Sequence, residues 1–573
     1  MRLLCSILLL YLSGLLNVFA QKKTDNLPIT SPLKAPWFFA GDFGELRPNH
    51  FHSGLDFRTQ GKIGLPVYAV KDGYVSRIGI SPTGYGNVLY LNHPDGTTTV
   101  YGHLRRFHPK IQDYVREKQY TRESFAMNLT PSSGDFYFNK GDIIAWSGNS
   151  GSSGGPHLHF EIRDTKSERA LNPLFAKLGI TDNSTPNIIA LYAYPLNEAT
   201  NIGKDRIKKR FETIRVPGGY RLKNNAPIEV FGKIGFGIQA EDYFNGTGLK
   251  CGIFSAALFC DKKEVFGFKM SDFLFNDSRY ANAQADYEEH IKSNRWIERL
   301  FRLPGNYLDI YSPSINNGIL NLEDGKGHEF EIIVSDAFKN KASLKFKTIS
   351  KKSLNPLINR SFTKEFFFDR ENDFKNDKIR IEIPKGALYE NLKFIWKSAP
   401  GPGGSYCALH QINSIAVPVH IPYSLSLKVD RIPENLENKA LIVSVDSKSS
   451  KKRGIGGEYS RGWVTVKTTV MGNFSVAVDQ TPPTITPLSI KDKKNLTDPA
   501  KVQFRINDDL SGIKSYRGEF DGKWVLFEFD EKEALLTYTF DPERISYKKS
   551  HLLKLVVTDN RDNSSEYKAI IYK

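Results

Sequence analysis

Residues 155–162 read Gly155-Pro156-His157-Leu158-His159-Phe160-Glu161-Ile162. Leu158, Phe160 and Ile162 alternate with His157, His159 and Glu161, the period of two that marks a strand with one buried face. Both imidazoles therefore project from one surface of a sheet. Side-by-side histidines imply a metal or a proton-transfer task; a pair of solvated surface residues is the blander alternative. Two further segments belong with this strand: His52-Ser53-Gly54-Leu55-Asp56 and Tyr101-Gly102-His103-Leu104. His52 and Asp56 are four apart, a helical spacing, but Ser53-Gly54 argues against helix. They are placed on an irregular loop running into a strand.

A carboxylate with imidazoles is a ligand set that suits Zn²⁺. One carboxylate leaves the metal a net positive Lewis acid. Three protein ligands leave a fourth position for water, the arrangement of a catalytic rather than a structural site. Outward from these motifs, residues 27–182 are rich in glycine and hold seven of the 12 histidines: His50, His52, His93, His103, His108, His157 and His159. Strand signals such as Val67–Val70 and Val88–Leu91 are punctuated by Asp72-Gly73 and Asp95-Gly96, the pattern of a small antiparallel sheet. A charged, partly helical insertion at 108–135 leaves the chain just after His103, which places it beside the cleft. His50, on the irregular loop, is left out of the ligand set. His93 and His108 are expected on the surface. Glu161 reads as an ordinary exposed strand residue, with a role in orienting a ligand as the second reading.

The rest of the chain is expected to be mainly β. Asn183-Ser184-Thr185-Pro186 reads as a linker. Residues 185–350 and 481–573 each open with Thr-Pro and close alike: an apolar strand, then Ser335-Asp336 or Thr558-Asp559, a polar turn and a final strand. They are read as two immunoglobulin-like β-sandwich domains. An amphipathic helix is expected at about 284–300, with Tyr287, Ile291 and Ile297 toward the core. Between the two, residues 355–480 form a further β-rich domain with a break at Pro400-Gly401-Pro402-Gly403-Gly404. His290, His328, His410, His420 and His551 are scattered there and read as structural.

Met1-Arg2, the apolar run from Leu3 to Leu16 and Val18-Phe19-Ala20 make residues 1–20 a signal peptide. A retained anchor is the alternative, but the run is short for a span. The mature chain is expected to have no transmembrane span and to act outside the cytoplasm. Export leaves Cys251, Cys260 and Cys407, an odd number; Cys251 and Cys260 either bridge or remain thiols. With no CxxC pair, a thiolate metal site is not indicated. The net charge of +16 suits an anionic partner. Basic residues show no stripe interleaved with aromatics, so nucleic acid is set aside in favour of a cell envelope.

Taken together, HxxxD (His52, Asp56), YGHL (101–104) and GPHLHFEIR (155–163) resemble the lysostaphin-like (LytM-type) zinc metallopeptidases. The resemblance extends over residues 37–175 and includes Gly44–Pro48, Val70–Gly73 and the Ser147–Gly151 turn. It implies one Zn²⁺ per chain held by His52, Asp56 and His159, with His103 and His157 as catalytic histidines that do not bind the metal. It also implies that the substrate is the peptide cross-links of bacterial peptidoglycan. The chain lacks HExxH, so the imidazoles would carry the acid–base work. The long β extension points to a Gram-negative periplasm or cell envelope, and so to D-alanyl–diaminopimelate cross-links. Two other classes compete: an inactive member that regulates another wall hydrolase, and a wall-binding or adhesive scaffold whose β domains engage envelope partners. All five site residues are present, which argues against degeneration.

Overall fold

The His157–Asp164 strand runs through the middle of an antiparallel sheet. In the computed structural model it pairs with Leu55–Arg58 on one edge and Thr97–Phe107 on the other. The structure describes residues 27–572 apart from 35–37, 247, 357–360, 496–500 and 546–549. The signal peptide expected at residues 1–20 lies outside the described residues. Strands account for 47% of the chain and helix for 9%, so the molecule is mainly β as expected.

The ladder continues from Phe39–Gly41 through these strands to Asn87–Asn92, Gly73–Ile80 and Tyr137–Phe138. Leu158, Phe160 and Ile162 face the core with Leu55, Phe57 and Tyr101. Phe160 sits between the rings of Phe57 and Tyr101, at 6.1 Å and 5.5 Å. The alternation seen in the sequence thus sets which face is apolar. The opposite face is buried as well, because the loop carrying Tyr85 and the segment carrying Phe275 cover it.

The insertion forms one helix, Pro109–Arg122, opened by Pro109 at its first position and ended by Glu123 in the left-handed region. Ile111, Val115 and Gln119, spaced by four, turn inward. Its outer side carries the C-terminal domain. Tyr120 meets Trp524 edge-on at 5.2 Å, Arg544 lies 4.5 Å from the Tyr120 ring, and Arg116 and Glu123 pair with Asp541 and Arg517.

Residues 187–350 hydrogen-bond into one continuous sheet rather than two separate ones. The 16-residue strand Ile228–Tyr243 pairs antiparallel with Asn187–Pro195 and parallel with Lys341–Ser350, folding the sheet back on itself. The helix expected at 284–300 is only Tyr287–Ser293. Asp286 caps its start, and Asn294 ends it by adopting the left-handed conformation that asparagine tolerates. Ile291 is exposed, Ile297 is buried, and Glu298–Arg299 joins the long strand. Cys251, Cys260 and Cys407 are all free thiols.

Two further pairs of sheets complete the chain. Five strands face five around the core of residues 366–476, and a four-stranded sheet packs on a five-stranded one around the core of residues 490–571. The matching ends seen in the sequence are the same turn. Asp336 Oδ1 accepts the N–H groups of Phe338 and Asn340, and Asp559 Oδ1 those of Arg561 and Asn563. Among the described residues, no helix is long and apolar enough to cross a membrane.

The first domain is not self-contained. Phe273 packs against Phe43 and Phe51 at 5.1 Å and 5.5 Å, and Phe244 against Phe39 at 4.9 Å. Asp272–Leu274 adds a strand to Arg169–Leu171, and Arg169 Nε donates to Asp272 at 2.7 Å. Losing two buried phenylalanine contacts of about 3–5 kcal/mol each costs a domain of this size on the order of 10 °C or more. A fragment ending at residue 182 is therefore expected to melt well below the first transition of the full chain, as read by calorimetry. An equal melting temperature would show that the first domain stands alone.

Candidate metal centre and active site

The site is assembled by strand register. His159 is directly opposite Asp56 on one neighbour and Gly102 on the other. Directly opposed residues bring their Cβ atoms to about 4.5–5.5 Å, so Asp56 and His159 meet without any loop to place them. His52 reaches them from the loop preceding the Leu55–Arg58 strand. That loop lies flat on the sheet at Gly54, where a Cβ would fall 2.2 Å from the Phe160 carbonyl oxygen. His52 Nε2, Asp56 Oδ1 and His159 Nδ1 converge, with separations of 3.0 Å, 3.0 Å and 2.8 Å, and all three residues are buried.

Each convergent ring is held by its other nitrogen. His52 Nδ1 donates to the Asp42 carbonyl at 2.7 Å, and His159 Nε2 to Glu161 Oε1 at 2.8 Å. These bonds select the tautomers whose lone pairs point at Asp56. Asp56 Oδ2 takes Arg47 Nη2 at 2.7 Å, leaving Oδ1 for the centre. Burial opposes the Asp56 charge, yet the His52, His157 and His159 rings hold its carboxyl well below the ordinary range. Burial lowers His52 to about 4, the Asp56 charge notwithstanding. His159 is also disfavoured as a cation by burial, but its bonds to Asp56 and Glu161 prevail and raise it to about 9. A ring bracketed by two carboxylates thus calls for positive charge. Two imidazole lone pairs and one carboxylate oxygen fit a divalent metal of the zinc type.

Strict alternation would turn His103 into the core with Tyr101. Instead the Thr97–Phe107 strand holds one extra residue between the Tyr101–Leu89 and Leu104–Asn87 pairs, a bulge at Gly102-His103. His103 adopts φ +56°, stabilised by its N–H bonding the Tyr85 carbonyl at 2.8 Å. The bulge swings the ring to the face that carries His52, Asp56 and His159, 4.6 Å from the ring of His157. His103 Nδ1 donates to the Ser150 carbonyl and His157 Nδ1 to the Gly155 carbonyl, both at 2.8 Å. Each ring keeps Nε2 for other work; that of His157 lies 3.5 Å from Asp56 Oδ1. Burial, then the neighbouring His157 and His159, lower His103 to about 3, so it is neutral at neutral pH.

The structure brings together all five residues singled out in the sequence. It leaves His50 outside, exposed and turned to the Pro48 carbonyl. Two expectations are corrected. Glu161 is not an exposed strand residue: it is fully buried, and its oxygens take His159, Ser53, Tyr85 and Arg163. His93 is not on the surface but buried between the Asp72 carbonyl and Thr99 Oγ1. Tyr85, Asp42 and the role of Arg47 were invisible as motifs. Glu161 and Arg163 were not, because the same period of two aligns both with His157 and His159; what was missing was the cover over that face.

Two family models match parts of the chain. Residues 50–121 match the model of Peptidase family M23, and residues 363–479 that of a Zu5-like domain. The M23 match contains His52, Asp56 and His103, and stops before His157 and His159. An uncharacterized metalloprotease of Haemophilus influenzae is 35% identical over 135 residues, 24% of this chain and 22% of that protein. Lysostaphin of Staphylococcus simulans is 32% identical over 146 residues, 24% of each chain. The DD-carboxypeptidase/endopeptidase Mpg of Neisseria meningitidis is 32% identical over 112 residues, 20% of each. The solved catalytic domain of Staphylococcus simulans lysostaphin is 27% identical, with a TM-score of 0.18 over 24% of this chain and 90% of that one. This chain spans about a quarter of the length of the curated relatives it matches.

Losing the partner of a ligand's second nitrogen weakens metal binding by about 10–100-fold. Glu161→Gln is expected to do so, measured by competition with a chromogenic chelator. Unchanged affinity would reduce Glu161 to a structural partner of Ser53, Tyr85 and Arg163.

Proposed function

Because its first domain is a LytM-type metallopeptidase domain of family M23, we propose that this chain is an exported zinc endopeptidase that cuts the peptide cross-links of bacterial peptidoglycan. The observation that carries the reading is the convergence of His52, Asp56 and His159, with the free Nε2 atoms of His103 and His157 on the same face. His52 Nε2, Asp56 Oδ1 and His159 Nδ1 would hold one Zn²⁺. Bound there, the ion supplies Lewis acidity and a water with a pKa near 7.

The chain's own residues do the rest. His157, whose Nδ1 is committed to a backbone carbonyl, takes the proton of the attacking water on Nε2. His157 then hands that same proton from Nε2 to the departing amine, while His103, neutral and fixed in the same way, offers its Nε2 lone pair as a hydrogen-bond acceptor that orients the water. The two rings lie close enough to exchange these roles. Asp56 stays ionised under Arg47, and the buried Glu161–Arg163 pair keeps the His159 tautomer from turning over.

Relatives carry names that point to different bonds: glycyl-glycine endopeptidase for one, DD-carboxypeptidase/endopeptidase for others. The β domains would position the catalytic domain on the wall. Lys532 of the C-terminal domain bonds the Asn149 and Gly151 carbonyls on either side of Ser150, which anchors His103, and so ties that domain to the loop behind the site.

The full chain is expected to bind one zinc, and Asp56→Ala to lose it. His157→Ala is expected to keep the metal but lose about 10²–10⁴-fold in rate, read by mass spectrometry of fragments released from sacculi. Those fragments identify the bond. A chain that binds zinc yet releases none would favour the regulatory reading.

A further inference from the structure

Away from the metal centre, three acidic side chains meet at the junction of the first two domains. Asp182 ends the first domain, Asp242 lies near the end of the Ile228–Tyr243 strand, and Asp336 follows the Gly327–Ser335 strand. Residue exposures are 5%, 3% and 3%, and one oxygen of each lies within 4.8 Å of the others. Among the described residues no lysine or arginine pairs with any of them.

Their hydrogen bonds show which oxygens are spoken for. Asp182 Oδ1 accepts the N–H groups of Ser184 and Asn245, at 3.1 Å and 3.0 Å. Asp336 Oδ1 is locked by Phe338 and Asn340, and its Oδ2 takes Asn340 Nδ2 at 2.7 Å. Asp182 Oδ2 and Asp242 Oδ1 are buried and accept nothing. An ionised carboxylate left unpaired in the interior is costly. Here burial and the nearby Asp336 and Asp182 raise Asp242 to about 7.

The C-terminal domain supplies an internal comparison. Asn340 Nδ2 bridges Asp336 and the Asp182 carbonyl, just as Asn563 Nδ2 bridges Asp559 and the Asp479 carbonyl. In that second copy Asp479 Oδ2 is satisfied by the Ser511 N–H at 3.0 Å. The scaffold is the same; the second copy, whose Asp479 groups with Asp508 and Asp509, keeps a single orphan oxygen, Asp508 Oδ1, whereas the first copy sets two, Asp182 Oδ2 and Asp242 Oδ1, side by side.

We propose that Asp182, Asp242 and Asp336 form a calcium site that fastens the peptidase domain to the domain after it. Ligands about 2.3–2.6 Å from one Ca²⁺ lie no more than about 5 Å apart, as these oxygens do. An all-oxygen donor set selects a hard cation. Three buried protein carboxylates suit Ca²⁺ better than Mg²⁺, which keeps several of its waters. The position has a mechanical consequence. Asp242 pairs with Cys251 in the ladder, the next N–H, of Gly252, bonds Asp42 Oδ1 at 2.8 Å, and the Asp42 carbonyl holds His52. Phe244, two residues beyond Asp242, packs between Phe39 and Phe338. An ion here would stiffen the seam that supports the His52 loop.

The test is calorimetric titration of the full chain with CaCl₂, with MgCl₂ as the competing arm, beside melting curves with and without calcium. The proposal expects a Ca²⁺ site that weakens at least tenfold in Asp242→Asn, and a calcium-dependent rise in Tm that this variant lacks. Asp182→Asn, which keeps an oxygen for Ser184 and Asn245, is the second variant should Asp242→Asn not fold. No binding heat and no Tm shift in the wild type would overturn it, as would calcium binding that neither substitution weakens. A proton rather than a cation at the cluster would show as an Asp242→Asn chain at least as stable as wild type and indifferent to calcium, which also overturns it.

Discussion

Asp56 is a buried carboxylate at the point where three strands and a loop meet, and the arrangement of the first domain follows from how its charge is compensated. One oxygen is given to Arg47 and the other to the rings of His52 and His159. A buried charge without such partners would be several kcal/mol uphill. The requirement reaches outward: His52 needs the Asp42 carbonyl, and His159 needs Glu161. Glu161 in turn needs Arg163, which lies 4.1 Å from the Phe275 ring of the second domain. The polar network is therefore closed by residues from two domains.

That closure explains why the first domain does not end where its sequence motifs end. Phe244 and the Asp272–Leu274 strand belong to the second domain by chain order, but Phe244 packs in the first domain's core and the strand extends its sheet, while Phe43 and Phe51 of the first domain join the second domain's core around Phe273. The helix Pro109–Arg122 makes a second junction, holding the C-terminal sandwich through Tyr120 and Trp524. Residues that orient His103 and His159 are thus supported from both sides of the domain, by parts of the chain far from them in sequence. A rigid surround of this kind is what a preorganised site requires.

His103 shows how function and local strain coincide. A non-glycine residue at positive φ is disfavoured, and the cost is accepted where the bulge delivers an imidazole to the face that alternation would have denied it. The Tyr85 carbonyl and the Ser150 carbonyl hold it in place.

The candidate residues were legible in the chain partly through local pattern and partly through the resemblance of HxxxD, YGHL and GPHLHFEIR to the lysostaphin-like family, which alone assigned a role to His103. A strand's period of two places His157 and His159 together, and a histidine and a carboxylate flanking Ser53-Gly54 imply a loop bending back on a sheet. The all-β character and the paired Asp-containing turns could be read for the same reason, since alternation and turn residues act over a few positions. Tertiary structure alone decided the rest. Glu161 looked exposed because alternation assigns faces but does not say what covers them. The helix expected to 300 stopped at Ser293 because Asn294 turns left-handed and Glu298–Arg299 is drawn into a strand. The register of Asp56 against His159, the bulge at His103 and the meeting of Asp182, Asp242 and Asp336 depend on contacts between residues tens to hundreds of positions apart, where no local pattern carries the information.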